Sequence, residues 1–243
     1  MENLVFGRNP VLEAVVSGRE IDKIIIKKGG REGSIIPILK KASQKGIVIQ
    51  EVDKNRLDKL CEGENHQGIA AYVTDYQYSS VADIFARAEK KGEKPFIVFC
   101  DKITDPHNLG AIIRTAECAG AHGVIIPKRN SAVVNSVVTK TSAGAVMHIP
   151  VAKVTNLAST IDDLKEQGMW FVGADMNGTD MYNVDFKGSI GLVIGSEGDG
   201  ISRLVREKCD FIASIPMSGQ VNSLNASVAA GVLMYEAVRQ RNL

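Results

Sequence analysis

From Pro95 to the end of the chain, short continuously apolar runs alternate with stretches of helical period. The runs predict strands at 96–100, 123–126, 147–151, 170–174, 189–194 and 211–215. The periodic stretches predict helices at 108–119, 132–143, 157–167 and 202–208, and a last helix whose apolar run is 228–238. Strands apolar on both faces and separated by helices make a parallel sheet covered on both sides, an α/β fold. Such sheets bind ligands beyond the carboxyl ends of their strands, so the polar loops that follow strands are the candidate sites.

The first part of the chain is built on a smaller scale. Asn9-Pro10 predicts a helix start, an N-cap followed by proline at the first helical position, with Gly18 as its end. Strands at 23–27, 46–52 and 69–73 and helices at 34–44 and 54–61 complete a compact α/β/α unit over residues 1–75. Ser79-Ser80, a charged helix at 81–91 and Gly92-Glu93-Lys94-Pro95 then read as a linker with a helical segment over 76–94. This leaves 95–243 as the second domain.

Composition narrows the class. At 44% apolar and 23% charged residues, the chain has an ordinary soluble globular composition. No apolar run reaches the length of a membrane span, and Met1-Glu2-Asn3-Leu4 lacks the basic start of a signal peptide, so a cytoplasmic protein with no membrane partner is expected. Cys61, Cys100, Cys118 and Cys209 show no C-x-x-C spacing, and each is expected as a buried small hydrophobe. His66, His107, His122 and His148 have no metal-ligand spacing with them, so no metal is expected. Net charge is +1, but residues 1–45 carry nine Lys and Arg against five Asp and Glu, either a phosphate-facing surface or a solvated basic face.

Three loops after strands concentrate polar residues. One runs from Asp101 through Asn108, Gly110 and Arg114 to Ala116; the second is Gly195-Ser196-Glu197-Gly198-Asp199-Gly200; the third is Ile215 to Ser227, leading into the last helix. Glycines at 195, 198 and 200 do not make G-x-G-x-x-G, no P-loop occurs, and Ile194 breaks G-x-S-x-G. Dinucleotide, P-loop and α/β-hydrolase readings are therefore unsupported. Asn222, Ser223 or Asn225 can each cap the last helix, which accounts for one of them. Arg114 is either a snorkelling surface residue or a guanidinium set for phosphate or carboxylate. It follows Asn108 by under two helical turns, so both face the loop end only if the first turn is loose, as Gly110 would permit. Glu197 is a capping carboxylate or part of a site that the surrounding glycines let a ligand approach.

Together the loops resemble the signature motifs of the SpoU (TrmH) family of RNA ribose 2′-O-methyltransferases in the SPOUT superfamily. The matches are Asp105-Pro106-x-Asn108-x-Gly110-x-x-x-Arg114-Thr115-Ala116, then Leu192-Val193-Ile194-Gly195-Ser196-Glu197-Gly198-x-Gly200, then Ile215-Pro216-Met217-x-Gly219-x-Val221-x-Ser223-Leu224-Asn225-x-Ser227. Val5-Phe6-Gly7-Arg8-Asn9-Pro10-Val11-Leu12-Glu13-Ala14 with His66-Gln67-Gly68-Ile69 resembles the L30e-like RNA substrate-binding domain of the branch that methylates a guanosine of large-subunit ribosomal RNA.

The resemblance implies a deep C-terminal trefoil knot and S-adenosylmethionine held by backbone groups near Gly195, Ile215 and Leu224. It implies RNA, in particular ribosomal RNA, as substrate, and a homodimer with the last helix at its interface and each active site completed by both subunits. Arg114, Asn108, Glu197, Ser223 and Asn225 are then the catalytic set. A guanidinium normally stays protonated at neutral pH, so Arg114 is expected to fix the adjacent phosphate and stabilise a developing alkoxide. Three alternatives remain: a tRNA ribose methyltransferase, a catalytically silent RNA-binding or ribosome-assembly protein, and a small-molecule transferase.

Overall fold

The computed structural model describes residues 4–17, 19–74, 76–221 and 223–242. Gly18, Asp75 and Asn222, assigned above to a helix end, a unit boundary and a capping position, lie outside them, as do Met1, Glu2 and Asn3. The chain divides into two compact units, Met1–Gln77 and Tyr78–Leu243.

The first unit runs β1 (Leu4–Phe6), α1 (Arg8–Val16), β2 (Glu20–Lys27), α2 (Ile35–Gln44), β3 (Val48–Val52), α3 (Lys54–Leu60) and β4 (Ile69–Thr74). Its sheet order is β1-β4-β2-β3, with β4 antiparallel to β1 and β2 and β3 parallel to β2. Alternation along β2 and β4 splits the core in two. Ile24, Ile26, Ile69 and Ala71 pack with α1 and α2, while Ile25 and Ala70 pack with Leu57 of α3. The first helix starts earlier than expected. Gly7, at φ 94°, occupies the N-cap position, and Pro10 falls in the first turn, where its missing N–H costs nothing.

The second unit runs α4 (Val81–Lys91), β5 (Phe96–Cys100), α5 (Pro106–Cys118), β6 (Gly123–Pro127), α6 (Ser136–Thr141), β7 (Val151–Val154), α7 (Leu157–Lys165), β8 (Trp170–Asp180), β9 (Ile190–Ile194), α8 (Arg203–Lys208), β10 (Phe211–Ser214) and α9 (Ala226–Arg241). Its described strands form one parallel sheet, β10-β8-β9-β5-β6-β7. α4, α7 and α8 bury Ile84, Ile161 and Val205 with Ile97, Phe99 and Phe171 on one face. On the other, α5 packs on β6 and α9 on β8 and β9.

Three expectations are corrected. The helix at 81–91, read as part of a linker, belongs to the second unit's core: Ile84 is fully buried, and a Cβ on Gly123 would sit 2.5 Å from it. The helix read over 132–143 shrinks to Ser136–Thr141, because Asn135 caps it by accepting from Val138 N at 3.0 Å. Of the cysteines expected to be buried, Cys118 is exposed and Cys209 only partly buried. Burial pushes the Cys100 and Cys209 thiols up to about 12, which leaves both protonated at neutral pH. Among the described residues, no helix is long and apolar enough to cross a membrane.

Candidate functional site

The carboxyl ends of β8, β9 and β10 open into a cleft of about 270 Å³. Gly195 and Glu197 follow β9, Ile215 follows β10, and Ser223 and Leu224 precede α9; all five line it. The polar loop after β9 doubles back through a Ser196–Gly200 bridge. The return is tight enough that a Cβ on Gly195 would lie 2.1 Å from the Gly200 backbone. Only glycine fits at 195, and the wall there is bare main chain.

At the cleft's edge three residues distant in sequence join. Asn108 Nδ2 donates to Glu197 Oε1 at 2.9 Å, and Asn225 Nδ2 donates to Asn108 Oδ1 at 3.0 Å and also to Glu197 Oε1. Ala226 N adds a longer bond to the same carboxylate oxygen at 3.4 Å. Two helix starts create this junction. Asp105 caps α5 by accepting from His107 N at 2.9 Å, with Pro106 opening the helix, and this places Asn108 in the first turn. Asn225 caps α9 through Oδ1, which accepts from Ser227 N at 2.9 Å and Val228 N at 3.3 Å. One amide therefore starts a helix with its oxygen and fastens Glu197 with its nitrogen. Residue 225 makes the cap and the bonds to Asn108 and Glu197 with one side chain.

Arg114 is not in this cluster. α5 is regular from Pro106, so Arg114 lies about 9 Å along the axis and about 120° around from Asn108, exposed to solvent. The loose first turn expected from Gly110 is absent. Gly110 is buried against α6, where a Cβ would come within 2.7 Å of Thr141 Cβ, so it serves close helix packing.

Sequence reasoning missed a further wall of the cleft. β8 continues past residue 174 to Asp180, and Asp175, Met176 and Asn177 all line the cleft. The signal was present: polar residues directly after an apolar parallel strand.

In the first unit the resembling residues meet at one end of the sheet. Arg8 donates from Nε to Gln67 O at 3.3 Å and from a guanidinium nitrogen to Ser34 Oγ at 3.0 Å, while Arg8 N donates to Gln67 Oε1 at 3.1 Å. Gln67 adopts φ 51°. His66 Nδ1 accepts from Gly68 N at 2.9 Å, and its Nε2 lies 2.7 Å from Asp58. Lys28 and Arg31 of the basic excess pair with Asp53 and Glu51.

Comparison with known proteins agrees with both units. Residues 95–235 match the SpoU rRNA Methylase family, and residues 4–79 match the RNA 2′-O ribose methyltransferase substrate binding family. A Bacillus subtilis protein classed in the TrmH family of tRNA/rRNA methyltransferases is 47% identical over 98% of this chain and 96% of its own length. One of Staphylococcus saprophyticus, classed likewise, is 48% identical over 99% and 97%. Among solved structures, the SpoU methyltransferase AviRb of Streptomyces viridochromogenes in complex with AdoMet is 29% identical, with a TM-score of 0.63, over 98% of this chain and 90% of that one. The A. aeolicus TrmH/SpoU tRNA modifying enzyme gives 29% and 0.57 over 65% and 84%.

Proposed function

The chain belongs to the SpoU rRNA Methylase family of S-adenosylmethionine-dependent RNA methyltransferases, and from that premise we propose that it methylates a ribose 2′-hydroxyl, on a guanosine of large-subunit ribosomal RNA. The observation that carries the reading is the junction of Asn108, Glu197 and Asn225 beside a cleft lined by Gly195, Ile215 and Leu224. The cleft suits the nucleoside end of the cofactor. Ala213, Ile215, Leu224 and Leu233 offer apolar surface to a flat base, and the bare main chain at Gly195 lets backbone groups reach its edge.

The bound cofactor supplies an electrophilic methyl group; the chain supplies position and charge. Glu197, fastened through one oxygen by three donors, is a carboxylate that orients the ribose without rearranging during the reaction. Ser223, exposed in the cleft, offers a hydroxyl to the same substrate. Arg114 fixes the phosphate beside the target ribose and stabilises the developing alkoxide as the hydroxyl gives up its proton to solvent water. Its exposure, away from Asn108, supports a site completed by a second copy of the chain. α9 is the interface in this reading, since Val228 and Tyr235 on it are 50% and 52% exposed. Family membership supports the remaining parts: an L30e-like first unit that binds RNA, a trefoil knot around the cleft, and action in the cytoplasm.

A tRNA ribose is the alternative target, because the relatives are classed as tRNA/rRNA methyltransferases. A silent scaffold would have no use for the bonded carboxylate junction. The test is incubation with labelled S-adenosylmethionine and bulk unmodified RNA, then digestion to nucleosides. Label in 2′-O-methylguanosine of large-subunit RNA is expected. Label in tRNA moves the target, and absence of label from RNA overturns the reading.

A further inference from the structure

The cleft's ionisable lining is of one sign. Among its described residues these groups are Asp175, Glu197 and Asp199. Glu197 is committed to Asn108, Asn225 and the start of α9, and Asp199 is exposed in the Ser196–Gly200 turn. Asp175 is placed differently. It lies where β8 has left its pairing with β9, which ends at Gly173, and where its register with β10 shifts between Ile212 and Ala213. Gly178 permits this excursion, since a Cβ there would lie 2.5 Å from Ile212 O. The Asp175 side chain is only 21% exposed. Its Oδ1 accepts from Asn177 N at 2.9 Å, which sets the carboxylate, while Oδ2 stands 4.0 Å from Arg206 Nε, beyond hydrogen-bond reach.

We propose that Asp175 binds the vicinal ribose hydroxyls of S-adenosylmethionine through Oδ2. The proposal rests on the cleft being the cofactor site. A carboxylate is acceptor-only and takes hydrogen bonds from a ribose diol, the use to which dinucleotide-binding sheets put an acid near the nucleoside. Position favours the ribose over the amino-acid end. β8 lies between β9 and β10, the strands that lead to Gly195 and Ile215, so Asp175 belongs with the loops that hold the base. Arg206 of α8, at 4.0 Å from Oδ2, brings a positive charge near the carboxylate without donating a hydrogen bond to it.

Asp175→Asn separates binding from structure, because the amide keeps an oxygen for Asn177 N and replaces the free acceptor with a donor. Isothermal titration calorimetry with S-adenosylmethionine, S-adenosylhomocysteine and 5′-methylthioadenosine is the measurement, on the wild-type chain, on Asp175→Asn and on Leu224→Trp, which fills the cleft. D175N is expected to weaken all three ligands alike, by roughly tenfold or more, the size of a lost bond to a charged acceptor, with the unliganded unfolding temperature unchanged. Wild-type affinity in D175N, while L224W loses binding, overturns the role of Asp175 alone. Loss of the first two ligands with methylthioadenosine unaffected also overturns it, since the contact would then be to the ammonium. Wild-type binding by L224W refutes the cleft as cofactor site, and the proposal with it.

Discussion

Asn225 allows the folding and site contributions of one side chain to be measured apart. Replacing it with Ala removes the α9 cap, made by Oδ1 to Ser227 N and Val228 N, and the two bonds from Nδ2 to Asn108 and Glu197. Loss of the cap costs about 1 kcal/mol. The exposed amide bonds contribute about 1 kcal/mol more. A total of about 2 kcal/mol lowers the unfolding temperature of a domain this size by about 4–8 °C. Asn225→Ser retains a capping oxygen but cannot reach Glu197, so about half of that loss is expected. Activity should not divide in the same way. Both variants remove one of the three donors that fasten Glu197, leaving Asn108 and the longer Ala226 N bond, and a positioning carboxylate so loosened that it shifts by about 1 Å costs on the order of 100-fold in rate. Thermal unfolding by circular dichroism and single-turnover methylation with labelled cofactor give the two readouts. If Asn225→Ser stays within a few-fold of wild-type turnover, the fastening of Glu197 is not what the reaction needs. If Asn225→Ala melts with wild type, the cap argument fails.

Arg114→Lys keeps the charge and loses the fork, so its single-turnover rate is expected to fall at least about tenfold across the pH range; near-complete retention would refute a specific guanidinium role. Gly191→Ala places a Cβ 2.4 Å from the Phe171 ring and 3.0 Å from that of Phe99, and overpacking of this kind costs about 1–3 kcal/mol, read from urea unfolding. Burial, with the Lys91 charge adding and Glu93 opposing, holds His122 below its ordinary value of 6.5. The unfolded chain then takes up a proton that the folded one resists, so this group's stability is present above pH 6.5 and is lost as the pH falls towards its depressed folded value. His122→Gln, which can still accept from Phe96 N and donate to Glu93, should flatten that part of the unfolding profile relative to wild type, and equal slopes would count against the assignment.

The sequence made the site legible wherever chemistry followed a strand. Asn108, Glu197 and Asn225 come from three loops, 89 and 117 positions apart from Asn108, yet a parallel sheet delivers every such loop to one end. Gly195, Ile215 and Leu224 line the cleft for the same reason. What periodicity could not supply was the reason for a small residue. Gly110 looked like slack in a helix and is instead a packing contact with Thr141, a fact that belongs to α6 and not to α5. β8 was cut short because Asp175, Asn177 and Asp180 are poor strand formers, while its pairing with β10 holds the segment extended through Ser214 opposite Asp180. β1, three residues long, carries too little pattern to be seen alone.

The boundary at Tyr78 has a practical reading for anyone dividing the protein. Val134 N donates to the Tyr78 hydroxyl at 2.8 Å, and Lys153 Nζ lies 3.9 Å over its ring, so the first residue of the second unit is already clamped to it. A chain begun at residue 95, where the apolar alternation starts, would discard α4 and lay bare the side of Ile97, Phe99 and Ala152 that Ile84 covers. Such a fragment is prone to self-association through surface that was interior. One begun at Tyr78 keeps α4 over that surface and carries every described residue that lines the cleft without the first unit.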